Sequence, residues 1–252
     1  MSKNKTKIYN LVIFSCLTAL CYVLTFIMIP LPTGGKVHLG NLVCIISSLL
    51  LGGFKGGLIG SIGMGLNDLH FYLDSPSTII RTVILKFVMG FVCGSLFHLL
   101  KKKNPSPNKC FIVMIILGLL ILGLGGFSLY VYLIKGLNVG KEVLVFNVLV
   151  PICLFILGFS FIISALIFFK KKQNNSYLLI SVVLATITNI ILEFILKVVL
   201  FTLIDRYALL SSLTLPLSQV PASILTGSIT VILSLVIYPP LREVLILKYK
   251  IN

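Results

Sequence analysis

The sequence predicts an all-α integral membrane protein, a helical bundle of about eight transmembrane helices. Three observations carry that prediction. The chain is 58% hydrophobic and 11% charged, with a mean hydropathy of +1.13. A soluble domain cannot hide so much apolar surface, so the solvent must be lipid. The apolar residues also fall into eight runs, and the basic residues cluster beside the ends of those runs.

The first run, 8–29, is too long for a signal-peptide core and lacks a small-residue cleavage site, which makes it a retained span. Pro30 and Pro32 are expected to stop it and to open the stretch TGGKVHLGN, 33–41, outside the membrane. The second run, 39–51, is short for a crossing helix, and the third covers 56–72. Asp74-Ser75-Pro76 reads as a loop and cap with proline in the first turn of the fourth span, 78–100. Runs at 110–134, 143–169, 177–204 and 219–238 complete the set, with Pro239-Pro240 expected to stop the last.

An even count puts both termini on one side. The inner side then receives Lys3, Lys5, Lys7, Lys55, Lys101 to Lys103, Lys109, Lys170 to Lys172, Arg242, Lys248 and Lys250. The outer loops keep Lys36, Lys135, Lys141 and Arg206. This positive-inside asymmetry predicts a multi-pass cell-membrane protein with both termini cytoplasmic, and it accounts for a net charge of +15 without nucleic acid. The six cysteines form no CxxC and mostly sit within apolar runs, where they read as small packing residues. No metal or cofactor is expected.

Catalytic signatures are missing from the sequence. It has no GxxxxGK[ST], HExxH, DDxxD or GxSxG, so neither an enzyme nor an ATP site within this chain is expected. Ionisable residues within the spans are more informative, because lipid makes each one costly. The reading counts four: Asp68, Lys86, Glu193 and Lys197, all in the outer half of the membrane. Asn189, Glu193 and Lys197 share one helical face, as do Thr82, Lys86, Gly90 and Gly94. Mutual neutralisation of two acids and two bases is the plain alternative; a ligand or pathway role is favoured over it. Asn67 adds hydrogen-bonding capacity beside Asp68. The mixed charge points to a polar or zwitterionic ligand.

Small residues recur every four positions at Gly57, Ser61 and Gly65, at Gly56 and Gly60, and at Gly90 and Gly94. Close helix packing explains these. Ser15 and Ala19 show the same spacing in the first span, where a partner helix competes with packing. The TGGKVHLGN stretch, with Gly34, Gly35, Lys36 and His38, is compatible equally with a bland connector and with a lid over the polar pocket.

Read together, three stretches resemble a known family. GGKVHLGN, then LLLGGFKGGLIGSIGMGLNDL, then TIIRTVILKFVMGFVCGSL are similar to the substrate-binding S component of energy-coupling-factor (ECF) vitamin transporters, in the riboflavin-type group. Gly34, Gly35, His38, Leu39 and Gly40 match the group's GGxxHLGD element, with Asn41 at the usual acid position. Leu66, Asp68 and Leu69 match its LADL-like element, and Lys86 its TxxxKG-like helix. NIILEFILK resembles the family's fifth helix and LPLSQVPASILTGSITVILSLVIYPPL its sixth.

The resemblance implies an S-component core split as 1–104 and 176–252, with 105–175 as an inserted helical pair, since the family has six spans. It implies a subunit that captures a small water-soluble vitamin or precursor at the outer face. A transmembrane coupling subunit and two cytoplasmic ATPases would then drive uptake. Gly34, Gly35, His38, Asn41, Asn67, Asp68, Lys86, Glu193 and Lys197 become the expected substrate-binding set, under a lid at 33–37. Ser15 and Ala19 become the expected contact with the coupling subunit. Ser223 and Thr226 stand where the group often carries Asn and Gln, which bears on substrate choice. A stand-alone ion-coupled carrier using Asp68 and Glu193, or a non-transport membrane protein, are the competing readings.

Overall fold

The computed structural model describes residues 3–30, 36–103, 107–135 and 176–249, together with helical residues between 151 and 166. Seven helices can be bounded among these: α1 (Lys3–Phe26), α2 (Gly40–Leu51), α3 (Gly53–Phe71), α4 (Pro76–Lys103), α5 (Pro107–Lys135), α6 (Ser176–Leu203) and α7 (Leu209–Tyr249). Three helical stretches are long and apolar enough to cross a membrane, at Pro76–Lys103, Tyr177–Leu203 and Ser211–Val244. Large apolar side chains such as Phe54, Ile62, Phe91, Ile191, Ile195 and Val236 stand exposed on the outside of the bundle. Such a surface belongs in lipid rather than water.

Helix α2 is the hub. It has 12 residues and so rises ~18 Å, well short of a hydrocarbon core of ~30 Å. Every residue from Gly40 to Leu49 is buried, and α1, α3, α4 and α7 all pack against it. Gly52, at φ 89°, makes the sharp turn from α2 into α3, a conformation that glycine adopts at little cost. The main helix contact lies between α3 and α4, and small residues permit it. A Cβ on Gly90 would sit 2.7 Å from the Cα of Gly57, and one on Gly94 would run into the backbone of Gly53. The packing explanation for the glycine spacing therefore holds at these positions.

Two features depart from the sequence expectation. The first span ends at Phe26, before Ile29, and the chain then forms strand β1 (Met28–Pro30), paired antiparallel with β2 (Lys36–His38). The residue before a proline disfavours the helical region, and Ile29 precedes Pro30, so the chain is already extended when it reaches the proline. The second correction concerns α7, which begins at Leu209 and continues through Pro216, Pro221, Pro239 and Pro240 to Tyr249. Proline's fixed φ is itself helical, although each ring removes its own N–H bond and crowds the carbonyl four residues back. Membrane helices tolerate that loss where neighbouring groups satisfy the freed carbonyls.

The ends of the helices sort by character. The carboxyl ends of α1, α3 and α6 and the amino ends of α2, α4 and α7 meet at one end of the bundle, where their residues line a common cavity. Lys101, Lys102 and Lys103 close α4 at the opposite end. Phe97 is 1% exposed there, with its ring 5.4 Å from that of Tyr177 and 5.6 Å from that of Tyr238. Outside this core, α5 packs on the 151–166 helical residues, with Gly118 against Ile162 and Gly158 against Leu122. The predicted residues 143–150 and 167–169 of the sixth span lie outside the described residues.

The α3–α4 contact yields a direct test. Gly90→Val should lower stability by about 1–3 kcal/mol through overpacking against Gly57. Gly126→Ala, where an added Cβ meets nothing within 4 Å, should stay within about 0.5 kcal/mol of wild type. Thermal unfolding of the two purified variants in detergent checks both expectations.

Candidate functional site

At the end of the bundle away from the α4 lysines lies a cavity of about 380 Å³. Each element contributes a stripe at its own helical spacing. Met64, Asp68 and Tyr72 come from α3 and the residue after it; Thr78, Arg81, Thr82, Leu85 and Lys86 come from α4. Asn189, Glu193, Lys197 and Phe201 repeat every four residues along α6. Gln219, Ala222, Ser223 and Thr226 follow the 3–4 rhythm on α7. Thr25, Met28, Lys36, His38 and Asn41, from α1, the hairpin and α2, complete the wall.

Both carboxylates are engaged through both oxygens. Asp68, 4% exposed, takes a salt bridge from Lys36 Nζ at 3.3 Å and a short hydrogen bond from the Thr82 hydroxyl. Glu193 takes Lys197 Nζ at 2.6 Å and the Ser223 hydroxyl at 2.9 Å. Lys86, 5% exposed, donates to Asn189 Oδ1 at 3.0 Å rather than to a carboxylate. Lys36 Nζ also lies 5.0 Å from the centre of the Tyr72 ring, a cation–π distance. Its backbone carbonyl accepts from the Thr226 hydroxyl at 3.5 Å, which ties the hairpin to α7.

Two polar groups on the wall are left over. His38 Nδ1 and Asn41 Oδ1 are buried without a hydrogen-bond partner among the described residues. Burial, with Lys86 and Lys36 next, pushes the His38 imidazole down to about 3. The ring is therefore neutral at physiological pH and offers one donor and one acceptor.

Six of the expected binding residues thus come together: His38, Asn41, Asp68, Lys86, Glu193 and Lys197. Asn67 is buried with both side-chain polar atoms unpartnered, but it does not line the cavity. It follows Gly63 by one helical turn, and Gly63 faces Thr18 and Cys21 of α1. Gly34 and Gly35, with Thr33, lie outside the described residues. From the expected lid only Lys36 and Val37 are described, and they form part of β2. Ser15 and Ala19 are not part of this site. They line a separate open groove between α1 and α3, with Phe14, Tyr22, Leu66 and Leu69.

The sequence reading of the charges needs two corrections. Arg81 was not counted among the ionisable groups of the spans, yet it lines the cavity. The 78, 81, 82, 85 rhythm around Lys86 is the signal that would have found it. The cation on Asp68 comes from Lys36 in the hairpin, not from Lys86 or Lys197.

The comparison with known families bears on this arrangement. The family model for the ECF-type riboflavin transporter, S component, matches residues 5–153. The chain belongs to that family. The match runs from α1 past the end of α5, so it takes in the hairpin, Asp68, Arg81 and Lys86 of the S-component cavity. Neither a curated protein nor a solved structure matches the chain.

The Glu193–Lys197 pair in this S component is testable by breaking and then removing it. Glu193→Gln should destabilise the protein by about 3 kcal/mol, because it strands a buried ammonium. The double change Glu193→Gln/Lys197→Met should recover much of that loss. Thermal unfolding of the single and double variants reads the difference.

Proposed function

We propose that this chain is the substrate-specific binding subunit of an ECF-type importer. In this reading it captures a small water-soluble vitamin or vitamin precursor, of the kind taken by the riboflavin-type group, for ATP-driven uptake by partner subunits. The observation that carries the proposal is the polar cavity itself. Six elements of an apolar bundle converge charged and amide side chains on one cavity, an expensive arrangement that ligand binding accounts for. Family membership supplies the transport context.

The orientation follows from charge. The cavity lies at the end of the bundle opposite Lys101 to Lys103, and the positive-inside rule assigns that lysine end to the cytoplasm. The cavity then faces outward in the cell membrane, and both termini are cytoplasmic. His38 and Lys36 of β2 stand at its rim, residues 33–37 are the proposed lid, and Gly34 and Gly35 belong to the proposed binding set. Asn41, Asp68, Lys86, Glu193 and Lys197 form the binding wall, and Asn67 supports it from the α1 side. Asp68 and Glu193 work by holding the cations and hydroxyls around the ligand in place.

The chain contributes binding rather than catalysis, and its energy comes from two cytoplasmic ATPases through a transmembrane coupling subunit. The α1–α3 groove containing Ser15 and Ala19 is the proposed seat of that coupling subunit. It is apolar, shallow and built on small residues, which suits a helix-to-helix contact in lipid. The pair of helices within 105–175 is read as an addition beside α6. An ion-coupled carrier would want an acid free to titrate, whereas both cavity carboxylates are held by cations and hydroxyls.

Native mass spectrometry of the purified full chain tests the binding reading. Wild type should carry a small-molecule mass increment, and Asp68→Ala and Lys86→Ala should each lose most of it while remaining extractable and folded. An unliganded wild-type spectrum, or unchanged occupancy in both variants, would count against the proposal.

A further inference from the structure

The cavity wall carries four cationic side chains, Lys36, Arg81, Lys86 and Lys197, against two carboxylates, Asp68 and Glu193. The carboxylates are spent on the protein. Each has one oxygen on a lysine and the other on a hydroxyl, so the charge of each is already matched by a protein cation. Lys36 and Lys197 are the lysines so paired. Two cations remain. Arg81 has no carboxylate within salt-bridge distance among the described residues, and Lys86 meets only the neutral amide oxygen of Asn189.

This imbalance has a chemical meaning. A guanidinium keeps its charge at any relevant pH and presents five N–H donors in a planar fork. Lys86 is buried and Arg81 half-buried; cations so placed without a direct carboxylate partner gain from an anion whose two or three oxygens use the fork. Arg81 and Lys86 are both on α4, and both line the cavity. From these residues we infer that the cavity takes an anionic ligand, whose carboxylate or phosphate group is held by Arg81 and Lys86. The inference rests on the reading of this cavity as a substrate site and narrows it. It narrows the polar or zwitterionic ligand expected from mixed charge to one carrying net negative charge. The unpartnered Asn41 Oδ1 calls for a hydrogen-bond donor elsewhere on the same molecule.

The test has two arms, both on the full chain in detergent. In the first, molecules released from purified protein by organic solvent are identified by mass and by retention on an anion exchanger at pH 7. In the second, inorganic phosphate is titrated against thermal unfolding, with chloride adjusted to hold ionic strength constant. The expected result is a released molecule that is anionic, and a phosphate-dependent rise in the unfolding midpoint. Arg81→Gln should weaken the phosphate effect roughly ten- to hundredfold, the range expected for losing a charged hydrogen-bonding group. Arg81→Lys should retain more of it, and it serves in place of Arg81→Gln if that variant fails to fold.

A neutral or cationic released molecule overturns the inference but leaves the binding-subunit reading standing. No released molecule counts against that reading, and phosphate then decides the inference alone. Protection that depends on Arg81 sustains an anion site, and no protection overturns it.

Discussion

A carboxylate buried in a bundle that faces lipid must find its partners inside the protein, and this constraint shapes the cavity end. Asp68 on α3 gathers Lys36 from the hairpin and Thr82 from α4. Glu193 on α6 gathers Lys197 from its own helix and Ser223 from α7. Two carboxylates thereby tie five elements together at the mouth of the bundle. Removing either acid leaves an ammonium without its counter-charge, so the network specifies the arrangement more than it adds net stability. The remaining cavity groups, including Arg81, Lys86 and Asn41, are positioned on the walls that this network holds.

The opposite end is built on a different principle. Gly53 and Gly57 let α3 approach Gly90 and Gly94 of α4 closely, and Phe97, Tyr177 and Tyr238 fill the space beside them. The Tyr238 hydroxyl reaches the backbone carbonyl of Leu49, near the end of α2, at 3.5 Å. The bundle is thus filled with rings at one end and polar at the other. The short, fully packed α2 lies between the two regimes, its amino end at the cavity and its carboxyl end at the aromatic cluster.

Much of this was legible in the residues because lipid makes polarity expensive. Apolar runs marked most of the helices to within a few residues, although α7 reaches from Leu209 to Tyr249, well beyond the 219–238 run. Asp68, Lys86, Glu193 and Lys197 stood out as charges where none is cheap. His38 and Asn41 were found through the family-like GGKVHLGN stretch. What escaped was three-dimensional. Lys36 and Asp68 are separated by 32 residues and Lys86 and Asn189 by 103, so no local spacing reveals either contact. Arg81 was passed over because a cation one turn into a span is unremarkable until the wall it lines is known. Asn67 was grouped with its neighbour Asp68, although adjacent helical residues point about 100° apart. Pro239-Pro240 reads as a stop on the rule for soluble helices, yet α7 continues through both, as helices do where neighbouring groups satisfy the freed carbonyls.

The central claim is a polar cavity open on the side of the membrane away from the lysine-rich ends. Ser223→Cys puts a thiol on its wall, where the native residue lines the cavity. A membrane-impermeant thiol reagent, applied to right-side-out and to inverted vesicles, reads the claim directly against a wild-type background. The account predicts labelling of Ser223→Cys above that background in right-side-out vesicles and little in inverted ones. Labelling confined to inverted vesicles would contradict it.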